Sequence, residues 1–192
     1  MHAPRLIAVV VGAMVAMGAT SYGGAESVAA PRADTPSCPD AKTRPGKLSR
    51  KQARTAIVCL INRTRERHGL PSVSRDARLR RAAQRHNRRM HGTGCWSHQC
   101  PGEASLEARL RDAGYLSDGL TRWIGAENLA WGAYYRGTPA RILDAWMHSP
   151  GHRHTILTGE LRDIGVGFHR GTPWSKRTRG VIFTTDFGLR VP

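Results

Sequence analysis

AWMHSPGHRHTIL, residues 145–157, changes character at its centre. Up to about His148 it continues a helical stripe that starts at Thr138-Pro139, a capping residue followed by proline at the first helical position. Ile142, Leu143 and Trp146 recur on the inward face of that stripe. Pro150-Gly151 breaks the helix near His148 and releases His152 and His154 into a turn. Two further polar islands stand in apolar surroundings: a loop histidine in CWSHQC, residues 95–100, and a Glu-Asn pair inside GAENLAWG, residues 125–132. Buried polar groups need hydrogen-bond partners, so the three islands predict one polar cavity assembled from distant segments.

Around these islands the periodicity reads as helices first and strands later. Ala53, Ile57, Leu60, Ile61, Thr64 and His68 recur at helical spacing, with Arg54, Arg63, Arg65 and Arg67 on the other side, until Gly69 and Pro71 end the run. A second helix is expected from Ser74 as N-cap to about His91, burying Leu79, Ala82, Ala83, His86 and Met90. Its Arg78, Arg81, Arg85, Arg88 and Arg89 form a solvated face, and His86 reads as a hydrogen-bonded core histidine. A shorter helix over Glu103 to Asp112 carries Leu106 and Leu110 and closes at Gly114. Ile124 to Trp131 is a strand candidate. Ile164, Val166 and Phe168, then Val181, Phe183, Thr185 and Phe187, alternate as an antiparallel hairpin. The fold class is therefore α+β: an α-β-α sandwich with helices on both faces of a small antiparallel sheet.

A chain of 192 residues with 40% apolar content suits one domain of ordinary size. Residues 1–30 read as an export signal: Arg5 precedes fourteen largely apolar residues, 6–19, and cleavage is expected after Ala25 or Ala30. Fourteen residues fall short of the roughly 20 that span a bilayer, so no transmembrane span is expected in the mature form. Residues 31–48, with four prolines, read as an extended linker tied down at Cys38, and residues 49–192 as the folded domain. Four cysteines allow three pairings. Cys95 with Cys100 would close a loop around His98, and Cys38 with Cys59 would pin the tail to the first helix. Disulfides fit an oxidising, extracellular compartment.

The net charge of +16 is unchanged by losing residues 1–30, which remove one Arg and one Glu. For an exported protein such charge points to anionic lipids or acidic envelope polymers as partners, and nucleic acid is not expected. Lysine is confined to positions 42, 47, 51 and 176, an Arg-for-Lys bias that suits a GC-rich bacterial genome.

From Ser49 to Leu189 the chain resembles the CAP superfamily (cysteine-rich secretory proteins, antigen 5 and pathogenesis-related 1) in its bacterial SCP-like form. The resemblance is carried by Leu60-Ile61-Asn62 with Arg65, Trp96-Ser97-His98, GAENLAWG, AWMHSPGHRHTIL, Ile164-Gly165-Val166-Gly167 and Asp186-Phe187-Gly188. It implies a cavity of two histidines and two acids, which carries over as His98, Glu127 and His152. Ser149 takes the fourth position, where many eukaryotic members have Glu. Thr185 stands where relatives often place Gln.

His98, His152 and Glu127 together form a sensible ligand set for Zn2+ or another divalent cation. No HExxH helix accompanies them. As an acid/base pair, Glu127 and His152, with His98, would be the catalytic groups of an enzyme. Trp96 and Trp123 suit a groove for an amphipathic ligand, whereas Trp131 and Trp146 read as core fillers. The expected function is a secreted binding module for a small amphipathic or lipid-like ligand or an envelope component. The alternative is a metal-dependent extracellular hydrolase using the same cavity, and oligomeric state is open.

Overall fold

Helix α1 (Arg50–Arg67) opens with a capping box: the Ser49 hydroxyl accepts from the Gln52 amide at 3.1 Å, and the Gln52 side chain accepts from the Ser49 amide at 3.0 Å. The computed structural model describes residues 37–175 and 179–192, so the expected export signal, 1–30, lies outside the described residues. Ala53, Ile57, Ile61 and Thr64 are buried as the stripe requires. Arg65 departs from the expected outward face and is fully enclosed. Its guanidinium donates to the carbonyls of Pro71 (2.8 Å), Ile156 (2.8 Å), Thr158 (2.9 Å) and Leu161 (3.1 Å). A five-donor fork is the one side chain that can satisfy so many converging carbonyls. His68 is not part of the buried stripe but the exposed C-cap, its ring bonded to the Thr64 carbonyl, because the helix leaves the core in its last turn.

Helix α2 (Ala77–Thr93) starts two residues later than expected. Asp76 caps it, accepting from the Arg78 and Leu79 amides, while Ser74–Arg75 is drawn into the sheet as the two-residue strand β1. Helix α3 (Leu106–Asp112) is capped by Ser105, so Glu103 lies before it and not within it. Strands β2 (Arg122–Ala133), β3 (Asp163–Arg170) and β4 (Gly180–Val191) complete a sheet of order β1-β3-β4-β2. The β3–β4 hairpin and the β2–β4 pair are antiparallel, as expected; the short β1 pairs with β3 in parallel.

Helix α4 (Pro139–Met147) ends near the expected residue, but Pro150 then opens a further helix, α5 (Pro150–Leu157), with Ser149 as its N-cap. His152 and His154 therefore lie on a helix and not in a turn, because proline at a first helical position needs no amide hydrogen. Helices α1, α4 and α5 cover one sheet face around Ile57, Trp146, Phe183 and Phe187. Helices α2 and α3 cover the other around Leu79, Leu110, Met90 and Ile182. β4 is consequently buried on both faces from Gly180 to Gly188. A β-carbon at Gly165 would lie 2.0 Å from the Arg80 amide nitrogen, so this side-chain-free position seats α2 directly on β3.

Disulfides Cys38–Cys59 and Cys95–Cys100 are both formed. The described part of the expected extended linker is not extended throughout: residues 45–47 make a 3-10 turn, and Pro45 and Leu48 are buried against the domain. Trp146 is a core filler, its Nε1 donating to the Leu129 carbonyl at 2.9 Å. Trp131 is not: it is 40% exposed and meets Trp174 edge to face at the surface. No described helix is long and apolar enough to cross a membrane.

Candidate functional site

β2 ends the strand order, so one of its edges carries no further strand. Segments from both helical layers meet there. Glu127 faces α2 and α3, whereas its neighbour Asn128 points to the other side, as strand alternation requires. The Asn128 amide donates to the carbonyl of His152 on α5 at 3.0 Å. From the opposite layer the Cys95–Cys100 loop delivers His98, whose Nδ1 donates to Glu127 Oε1 at 2.8 Å.

Glu127 is held by more than His98. Arg109 of α3 clamps the carboxylate with two bonds, Nη1 to Oε2 at 2.9 Å and Nη2 to Oε1 at 3.3 Å, and also reaches the His98 carbonyl at 2.9 Å. Burial alone would raise the Glu127 pKa; the His98 hydrogen bond and the Arg109 guanidinium outweigh it and hold the carboxyl at about 2. His86, fully buried on α2, donates to Glu103 at 2.8 Å and presents its other nitrogen 3.9 Å from Glu127. Glu103 in turn accepts from the Cys100 amide, fastening the disulfide loop to α2.

Directly across the ladder from Glu127 lies Asp186, completely enclosed, its carboxyl facing that of Glu127. Burial, and then the Glu127 charge, push its pKa well above the ordinary carboxylate value. The two carboxyls are thus shifted in opposite directions, Glu127 down and Asp186 up. Thr185, beside it, has an enclosed hydroxyl without a hydrogen-bond partner among the described residues.

His98 and Glu127 are therefore in direct contact, and His152 joins them through Asn128. Its imidazole is half-buried, and burial followed by the His98 charge lowers its pKa. Ser149 caps α5 by position only; its hydroxyl makes no capping bond. His148 turns back to Asp144 and is 80% exposed, and His154 is exposed on α5.

The donor set does not fit a resident zinc or other divalent cation. Both Glu127 oxygens are taken by the Arg109 guanidinium, which already supplies the positive charge, and Oε1 is also bonded to His98. Among the described residues no group of three or more His, Cys, Asp or Glu side chains is arranged to hold a metal ion.

Sequence reasoning missed Arg109, Asp186 and the role of Glu103. Arg109 carried a signal, since it falls at i+3 from Leu106 on the same face as Leu110. Asp186 also did, as an acid inside a strand whose neighbours Phe187 and Phe183 are core.

Helices on both faces of a short sheet, with a loop histidine bonded to a glutamate on an outer strand, define an SCP-type domain. Residues 58–187 match the family described as Cysteine-rich secretory protein family (CAP), and the chain belongs to it. The protein YkwD of Bacillus subtilis (strain 168) is 30% identical over 125 residues, 65% of this chain and 46% of that protein. The chain thus spans under half the length of that relative. An extracellular protein containing a SCP domain from Bacillus anthracis str. Ames superposes with a TM-score of 0.56 at 25% identity, over 74% of this chain and 44% of that one. An outer surface protein from Borrelia burgdorferi shares the fold with a TM-score of 0.61 at 19% identity, over 74% of this chain and 96% of that one.

Proposed function

We propose that this CAP domain is a secreted binding module that takes a small amphipathic or lipid-like ligand, or a component of the cell envelope, at the β2 edge beside His98 and His152. The observation that carries this reading is the state of Glu127. A buried carboxylate bonded through both oxygens to Arg109, and through one to His98, is a poor proton acceptor. It serves instead as a fixed anchor for the His98 loop. The imidazoles that remain available are His98, with 62% of its side chain exposed, and half-buried His152. Two disulfides, the expected export signal and the likeness to an extracellular SCP-domain protein support secretion. The charge of +16 favours anionic surfaces.

The test is binding of the oxidised protein to a fluorescent fatty-acid probe, with His98→Ala/His152→Ala alongside. The variant is expected to bind at least about tenfold more weakly, about 1.4 kcal/mol. Equal affinity in both proteins removes the site from this edge. Co-sedimentation with phosphatidylglycerol vesicles is expected to weaken as salt rises.

A further inference from the structure

The opposite edge of the sheet carries a second cleft. β1 is only two residues long, so beyond Ile164 the edge of β3 is covered by side chains of α1 and α2 instead of a strand. Between them lies a cavity of about 310 Å³, at the small end of ligand-pocket sizes. Val58, Ile164 and Val166 make an apolar floor. Lys51, Arg54, Arg75 and Arg80 stand around it.

Among the described residues the charge of this rim is uncompensated. Asp76 is the one acid in the lining, and its carboxylate is already taken by the α2 amides, by Arg78 and, at 3.6 Å, by Arg190. Among the described residues no carboxylate lies within ion-pair distance of Lys51, Arg54, Arg75 or Arg80. Arg54 is held in place by Gln84 at 2.8 Å, yet its Nε is shut away from solvent without a hydrogen-bond partner among the described residues. Burial, and then repulsion from Arg80 and Arg50, lower its pKa. Converging cations without a counter-charge, over an apolar floor, suit an anion that brings its own apolar segment.

We propose that this cleft is a second binding site, separate from the His98–Glu127 edge, for a phosphodiester head group carried on an apolar stem. Arg54 and Arg80 bind the phosphate oxygens, Lys51 and Arg75 add charge at the rim, and the first methylenes lie on Val58 and Val166.

Calorimetry on the oxidised protein tests the assignment with three probes: soluble dihexanoyl phosphatidylglycerol, its zwitterionic phosphatidylcholine counterpart, and inorganic phosphate. Phosphatidylglycerol is expected to bind at least about tenfold more tightly than either of the others, and about tenfold more weakly to Arg54→Gln/Arg80→Gln. His98→Ala/His152→Ala should leave its affinity unchanged, which separates this site from the one proposed above. Because Arg54 supports Gln84, the exposed pair Lys51→Gln/Arg75→Gln is measured too, and is expected to weaken binding with the melting temperature unchanged. Affinity untouched by both charge variants overturns the site. Phosphate binding as tightly as phosphatidylglycerol overturns the role of the apolar floor.

Discussion

Glu127 and Asp186 sit directly opposite one another on β2 and β4, two carboxyls enclosed on the same face of one sheet. Like charges facing across a ladder are destabilising. The conflict is resolved by asymmetry: Arg109 and His98 favour the ionised form of Glu127, while burial and the Glu127 charge favour the protonated form of Asp186. The two residues therefore give opposite pH signatures. Glu127 falls from an ordinary 4.5 to about 2, so its contribution is present above about 4.5 and is lost as pH falls towards 2. Asp186 is raised, so its contribution is complete below the unfolded value and declines as pH climbs towards the folded one. Asp186→Asn is expected to raise the melting temperature, by little at pH 4 and by more at pH 8. The same difference from wild type at both pH values would contradict the assignment.

Removing Arg109 leaves Glu127 enclosed without its counter-charge. Arg109→Met is expected to lose about 3–5 kcal/mol, or roughly 10 °C in melting temperature for a domain of this size. Arg109→Met/Glu127→Gln should recover part of the loss. Thermal melts of the two single variants and the double variant complete the cycle.

Arg65 supplies donors to four carbonyls that α1, the following loop and the α5–β3 connection bring together. Arg65→Met leaves those acceptors unmet at about 1–3 kcal/mol each before relaxation. A net loss of at least about 3 kcal/mol is expected. Arg65→Lys should be intermediate, since an ammonium offers three donors and no planar fork. Urea midpoints at constant slope read both effects.

The two disulfides should separate stability from binding. Cys38–Cys59 spans 21 residues and Cys95–Cys100 spans 5, so their replacement by serine pairs is expected to remove about 3 and about 2 kcal/mol respectively. Only the second frees the His98 loop. Weakened fatty-acid-probe binding is therefore expected in Cys95→Ser/Cys100→Ser and not in Cys38→Ser/Cys59→Ser.

What could be read from residue order was whatever depends on neighbours in the chain. The buried stripe through Ile57 and Ile61 and the β3–β4 alternation follow from local pattern, whereas the meeting of the His98 loop with Glu127, 29 residues apart, was legible through three polar islands and the resemblance to the CAP superfamily. Arg65 escaped because its acceptors at Ile156, Thr158 and Leu161 lie more than 90 residues away, and a helical period records only polarity. The Pro150-Gly151 pair escaped for a different reason: a proline that ends one helix is equally suited to begin the next. Arg109 was masked by its charge, although its place beside Leu106 and Leu110 put it on the inward face. The α2 start moved from Ser74 to Asp76 because the extended residues before it were claimed by the edge of β3, a tertiary choice with no local marker.

Cys59 lies near the middle of α1, and the Ala41 carbonyl is also bonded to the Ala140 amide at the start of α4. A pull on the chain ahead of Cys38 is thus delivered to the centre of a packed helix, as shear along its length. Peeling α1 away from Ser49 turn by turn is not available as a route while that crosslink holds, which makes the amino-terminal side a mechanically firm point of attachment.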